Sequence, residues 1–148
     1  MEVMFAQDVS KFFTFNININ VYRNRIDSFT VVNKYPITDT FSAPAETIVS
    51  GNLKCNLFFH LPKQFDVQVT AVYLAPDIIP QGKIGQRFSL DLGIKKQIQK
   101  GRGELFFNAT DLLNTMVIKK EINGDGFSYI SADYYETQVI RAGYNYKF

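Results

Sequence analysis

Tryptophan is absent from the chain, and cysteine and histidine occur once each, as Cys55 and His60. A single cysteine closes no internal disulfide, so the fold does not rest on a disulfide framework. With one histidine and no partner set around it, no catalytic constellation can be assembled, and neither an enzyme nor a metal or cofactor site is expected. Long apolar runs are missing as well: nothing approaches the roughly 18 consecutive apolar residues of a helical membrane span. Met1 to Gln7 has no basic stretch followed by an apolar one, so it does not read as a signal peptide. Charge of one sign is also scarce. The 16 basic and 14 acidic residues are interspersed, and a net charge of +2 is too mild to imply nucleic acid as a partner. A length of 148 residues suits one ordinary domain.

What the chain has in quantity is aromatic residues, 14 Phe and 8 Tyr, yet its mean hydropathy is nearly neutral at -0.09. Both hold at once if apolar and polar residues alternate, giving each strand an oily face and a wet one. From Phe12 to Tyr22, Phe13, Phe15, Ile17, Ile19 and Val21 alternate with Thr14, Asn16, Asn18 and Asn20. A helix would mix these sets on every face. From Ile48 to Leu61 the apolar register holds Val49, Leu53, Cys55, Leu57 and Phe59 against Ser50, Asn52, Lys54, Asn56 and His60. Phe65, Val67, Val69, Ala71 and Tyr73 then oppose Asp66, Gln68 and Thr70, and Phe88, Leu90, Leu92 and Ile94 oppose Ser89, Asp91, Gly93 and Lys95. Leu105, Phe107 and Ala109 face away from Glu104, Asn108 and Thr110. The last run sets Ile140, Ala142, Tyr144, Tyr146 and Phe148 against Arg141, Gly143, Asn145 and Lys147. Glu2 to Gln7 reads as the stump of one more strand.

The connections alternate in length. Arg23 to Thr47 and Ala75 to Gln86 are long, whereas Leu61 to Gln64 and Gln99 to Gly103 are tight. Short turns on one side and long loops on the other are the habit of up-and-down membrane barrels. The expected fold is therefore all-β: an antiparallel, up-and-down transmembrane β-barrel segment of about six to seven meandering strands, an open fragment of a larger barrel, with residues 1–148 as one partial domain. Phe13, Phe15, Ile17, Ile19, Leu53, Leu57, Val67, Val69, Leu90, Leu92, Phe107, Ala142 and Tyr144 are expected to face lipid. Asn16, Asn18, Asp66, Asp91, Lys95, Arg141, Asn145 and Lys147 are expected to face the lumen. Following the order of connections puts the C-terminus on the short-turn, periplasmic side. The final outer connection centres on Asn123-Gly124-Asp125-Gly126, with Met116 to Ile122 and Phe127 to Ala132 pairing as a hairpin. The competing reading is a soluble up-and-down barrel with its faces reversed, enclosing a small apolar ligand.

The final residues Arg141, Gly143, Tyr146 and Phe148 resemble the C-terminal signal read by the barrel-assembly machinery: a polar residue, a Gly two later, then aromatics at the antepenultimate and last places. Pro80-Gln81-Gly82, the strand Phe88 to Lys96, and Asp111-Leu112-Leu113-Asn114-Thr115 resemble segments of TonB-dependent receptors, with Leu113 where that family has Phe. The resemblance covers most of the chain from about Ser10 onward. It implies an outer-membrane wall whose partners are lipid, the remaining strands and plug of a parent receptor, the assembly machinery, and TonB through the plug region. No plug and no TonB-contacting segment can be read in this sequence.

Of the individual residues, His60 reads as a rim or plug-contacting side chain near a short turn, and Cys55 as a small apolar residue. Asn108-Ala109-Thr110 matches a glycosylation sequon by accident of strand sequence. Asp66, Asp91, Lys95, Arg141 and Lys147 read as charges paired across a hydrated lumen, with substrate or plug contact as the functional alternative. Arg23, Arg25 and Asp27 open the longest outer loop, where the resemblance implies ligand capture. Asp111 breaks the pattern: alternation aims it into lipid, so a β-bulge near Thr110 to Leu112, or a strand that has already reached the outer boundary, is expected.

Overall fold

Alternating side chains favour extended backbone because each pleat then sorts its residues onto two chemically distinct faces. The computed structural model, which describes residues 1–36, 38–124 and 126–148, follows that pattern throughout. Its strands are β1 (Glu2–Ser10), β2 (Phe13–Ile26), β3 (Phe29–Asn33), β4 (Asp39–Ala43), β5 (Glu46–Leu61), β6 (Phe65–Leu74), β7 (Asp77–Ile79), β8 (Gly82–Ile84), β9 (Arg87–Ile98), β10 (Gly103–Thr110), β11 (Ile118–Gly124), β12 (Phe127–Asp133) and β13 (Val139–Tyr146). Seven of them form one antiparallel meander in the order β1-β2-β5-β6-β9-β10-β13. The opening segment is thus a full strand of nine residues rather than a stump. Its faces are chemically mixed, with Gln7 on the side of Val3 and Phe5 and Met4 on the other, which hid its true length from a reading of alternation.

Tight turns join the meander at one end. Lys11 and Phe12 follow β1, residues 62–64 follow β5, and a short 3-10 turn at Gln99–Gly101 follows β9. Lys63, Gln64, Gln99 and Lys100 sit at positive φ, between 53° and 64°, the left-handed geometry whose twist matches that of flanking antiparallel strands.

At the other end the long connections are themselves folded. The first is the hairpin β3–β4, whose strands among the described residues pair only with each other. The second and third are the hairpins β7–β8 and β11–β12, and β8 pairs with β11 to make a four-stranded sheet in the order β12-β11-β8-β7. The hairpin anticipated across Met116 to Ala132 is therefore present as β11–β12, although Asp125 at its tip lies outside the described residues. Its partner β8 was not foreseeable from alternation, because three residues are too few to show a period. The Pro80-Gln81-Gly82 motif makes this pairing possible. Gly82 stands at φ 154° against the backbone of Glu121, where any β-carbon would collide with the Glu121 carbonyl.

Two aspartates bind this loop layer to the meander. Asp77, the first residue of β7, accepts hydrogen bonds from the Tyr22 hydroxyl (2.7 Å) and the Asn24 amide (2.8 Å) at the far end of β2, and from the Ile78 backbone N–H (2.8 Å). Ile78, beside it, is one of only two fully buried apolar residues among those described. Asp111 follows β10 directly. No bulge occurs there: the strand stops at Thr110, and Asp111 turns the chain at φ 43°, a conformation Asp and Asn tolerate better than other residues with a β-carbon. Its buried carboxylate accepts from the backbone N–H groups of Thr115 (3.0 Å) and Met116 (3.2 Å) and from the Thr137 hydroxyl (2.6 Å). Asn114 N–H donates back to the Asp111 carbonyl, and the Thr115 hydroxyl donates to the Phe88 carbonyl at 2.7 Å. The Asp-Leu-Leu-Asn-Thr motif is a folded corner that joins the ends of β9 and β10 to the approach of β13.

Burial pushes both carboxyls toward the neutral form, and the hydrogen bonds named above more than offset it, so both end below the ordinary aspartate value of 3.8. A lowered pKa contributes stability that is complete above the unfolded value and is lost as pH falls through the folded one. Acidification below 3.8 should therefore expose the loop layer to protease nicking while the meander keeps its heat-modifiable band on gels. Asp111→Asn, whose amide NH2 would face either the Thr115 N–H or the Met116 N–H and Thr137 hydroxyl where an acceptor now stands, should destabilise the corner by about 1–3 kcal/mol and give the same nicking pattern at neutral pH.

Candidate functional site on the polar face

Register decides which side chains share a face. One row crosses the whole sheet through Gln7, Phe15, Leu57, Val69, Leu92, Ala109 and Ile140, each opposite the next. Parallel rows carry Ile17, Cys55, Ala71 and Leu90; Ile19, Leu53, Tyr73 and Phe88; and Phe13, Phe59, Val67, Ile94, Phe107 and Ala142. Tyr144 stands opposite Leu105 in the next row. All thirteen residues grouped as apolar wall by sequence occupy this one face. Nothing among the described residues covers it: Val49 is 68% exposed and Ile140 61%, and Ala109 is its one fully buried apolar side chain among them. Aromatic contacts such as Phe13 on Phe59, with ring centroids 5.0 Å apart, tie neighbouring strands laterally rather than building an enclosed core.

The opposite face is a polar surface with its own cross-strand bonds. Asn16, Asn56, Thr70 and Asp91 form a row, in which the Asn56 amide donates to Asn16 Oδ1 at 2.6 Å and the Thr70 hydroxyl donates to Asn56 Oδ1 at 2.9 Å. Asp91 ends the row by accepting the Asp111 backbone N–H at 2.9 Å. Asn18 donates to Glu2 at 3.0 Å. Closer to the tight turns lies a charged group: His60 Nδ1 is 2.8 Å from Asp66, Lys95 Nζ is 2.7 Å from Glu104, and Asp66 stands directly opposite Lys95. These side chains, with Phe58, Gln68, Phe106, Asn108 and Asn145, border a hollow of about 500 Å³. A second hollow of about 290 Å³ lies beside it, between Thr70, Asp91, Asn108 and Arg141.

Asn16, Asn18, Asp66, Asp91, Lys95, Arg141 and Asn145 are thus together on one face. Lys147 lies beyond the end of β13, its N–H donating to the Arg102 carbonyl at 2.9 Å. Phe148, read from alternation as the last strand residue, follows it without a strand partner, exposed, with its ring edge-on to Tyr146 at 5.3 Å. The terminal run is shorter than its alternation suggests because the ladder on β10 begins only at Gly103. Arg23 pairs opposite Val49 within an extended β2, and only Asp27 of the loop-opening trio lies past the strand, 2.8 Å from Arg25 Nε. Sequence reading passed over Phe58 and Phe106, two phenylalanines on the polar face. Their clue is the doubled Phe58-Phe59 and Phe106-Phe107, which places one ring on each side of the sheet.

A seven-stranded antiparallel meander, apolar on one side and polar on the other, with tight turns at one end and folded loops at the other, is the wall of a membrane barrel. The description "Outer membrane protein beta-barrel family" belongs to a family model that matches residues 1–146. The chain belongs to the outer membrane protein β-barrel family. No curated protein and no solved structure matches it. Membership of this family assigns the chain to the outer membrane, and the bare apolar face is then an ordinary property of its solvent. No helix among the described residues is long and apolar enough to cross a membrane, so the crossing elements are strands.

Gly143 has a packing role within this barrel wall. It stands opposite Phe106, and a β-carbon there would run into the Phe106 ring. Gly143→Val should cost about 1–3 kcal/mol through overpacking and lower the yield of heat-modifiable protein. Adding Phe106→Ala should restore most of that yield. No restoration in the double variant would show that Gly143 acts through something other than the room it leaves for Phe106.

Proposed function

We propose that this chain is the C-terminal part of a TonB-dependent receptor barrel, forming lipid-embedded wall and outer loops for nutrient uptake, with its tight turns and C-terminus on the periplasmic side. The observation that carries the reading is the uncovered apolar face on a sheet whose polar face carries cross-strand hydrogen bonds from Thr70 through Asn56 to Asn16. A soluble barrel of the same strands would enclose its apolar residues, whereas here Val49, Ile140 and their neighbours are left for lipid. The sheet has two unpaired edges, β1 and β13, which in hydrocarbon must be continued by further strands. Resemblance at Pro80-Gln81-Gly82 and Asp111 to Thr115 supports the receptor assignment.

In this reading the polar face and its 500 Å³ hollow look into the lumen, where a plug packs against His60, Asp66, Lys95 and Glu104. The loop sheet and the β3–β4 hairpin form part of the outer mouth. The chain's role is architectural, without catalysis and without a cofactor. Its partners are outer-membrane lipid, the remaining strands and plug, the assembly machinery, and TonB acting through the plug region.

Two measurements test the separate parts. Lipid-borne carbene probes should label Phe15, Leu57 and Leu92 and spare Asn16, Asn56 and Asp91; the reverse pattern would reject the wall. Photo-crosslinking of the full-length protein in energised cells should capture TonB, and failure to do so anywhere along the protein would remove the receptor assignment while leaving the wall intact. Deleting Phe148 should reduce membrane-integrated, heat-modifiable protein several-fold, whereas Asn145→Ser should leave it near the parent level. Equal yields would remove the assembly-signal role of the terminal aromatic.

A further inference from the structure

The tight-turn end of the sheet carries a concentration of positive charge that none of the contacts described so far uses. Lys11, Lys63, Lys96, Lys100, Arg102 and Lys147 all lie in or beside the three tight turns and the end of β13. None of the six is in an ion pair among the described residues. The nearby carboxylates are already engaged on the polar face: Asp8 by the Thr14 hydroxyl, Asp66 by His60, and Glu104 by Lys95. The turns abut one another, since His60 N–H donates to the Phe12 carbonyl and Gln97 N–H to the Gln64 carbonyl, so the charges form a continuous rim.

The rim lies on the membrane boundary of the apolar face. Lys96 shares its cross-strand row with Phe65 and Leu105 on the apolar side, yet its ammonium turns back to donate to the Lys63 carbonyl, the posture of a cation reaching out of hydrocarbon. An aromatic side chain stands directly beneath on the apolar face: Tyr144, whose hydroxyl donates to Gln99 at 2.8 Å. A hollow of about 700 Å³, lined by Gln99, Lys100, Arg102 and Tyr146, opens at the last turn. It joins two unpaired cations, an amide and a phenol at the depth where aromatic rings meet headgroups.

We infer that this rim is a headgroup site for an anionic phospholipid of the leaflet on the turn side, its phosphate seated between Lys100 and Arg102 and its acyl chains lying along Tyr144 and Leu105. Cations of the loop layer that are in no ion pair among the described residues, such as Lys34 and Lys119, are spread over separate hairpins instead of lining the edge of the apolar face. At the loop end, Lys83 and Lys120 are paired with Glu46 and Asp133. The site rests on the membrane-wall reading and adds to it a preference among lipids.

The test uses the full-length protein in vesicles of phosphatidylcholine alone or mixed with phosphatidylglycerol, with trace lipids carrying a photoactivatable group either in the headgroup or at the acyl terminus. Headgroup labelling of peptides containing Lys63 and Lys96 to Arg102 should rise about fivefold with the phosphatidylglycerol tracer over the phosphatidylcholine one. The enrichment should vanish in K63Q/K96Q/K100Q/R102Q and persist in K34Q/K83Q/K119Q, with both variants remaining heat-modifiable. Equal headgroup labelling by the two lipids, or an enrichment that survives in the turn-end variant, would overturn the site. Enrichment abolished by millimolar inorganic phosphate would identify a free-anion site instead and also overturn it. The acyl tracer reads the underlying wall separately: it should label peptides containing Phe15 and Leu57 in every lipid, and only its failure to do so counts against the membrane reading itself.

Discussion

Every feature of this molecule depends on one constraint: backbone polar groups that meet hydrocarbon must find their partners inside the protein. The meander meets it with antiparallel registers that shift once, between Asp8 and Ser10 of β1, and of which β2 on β5 is the longest, running from Phe13 opposite Phe59 to Ile26 opposite Glu46. Because the ladder satisfies the backbone, side chains on the apolar face need not enclose one another. They need only be apolar and in register, and the stability that a soluble protein draws from a packed core comes here from pairing and from lipid.

That division of labour explains where polar side chains cluster. Along the sheet they form short cross-strand links, such as Thr70 to Asn56 to Asn16, each modest alone and together tying three strands at mid-height. At the ends they are denser and more local. Asp77 and Asp111 each gather three donors at the junction between the meander and the loop layer. Carboxylates suit those junctions because one side chain can accept several N–H and O–H groups left over where a strand stops.

Most of the meander was legible in the sequence because period-two alternation survives wherever one face meets lipid and the other water. Legibility failed where that contrast fails. β1 has Gln7 and Met4 on the wrong sides for a clean pattern; Phe106 hid in a doublet; Lys147 and Phe148 keep the alternation after the partner strand has run out. Asp111 was recognisable as a conflict, but its resolution as a left-handed corner depends on donors from Thr115, Met116 and Thr137, up to 26 residues away. The loop layer was the least readable part. β7 and β8 are three residues each, and what defines them is a close backbone approach at Gly82 and not a pattern of hydrophobicity.

The pairing of β8 with β11 links two connections that belong to different hairpins of the wall, one between β6 and β9 and the other between β10 and β13. Insertions in either must preserve the spacing that brings Gly82 opposite Ile122, so these two loops are constrained to change length together or at the β12 side only. The β3–β4 hairpin has no such tie. It is the part of the loop end where length and sequence can change without breaking a strand ladder, and so the part most open to diversification.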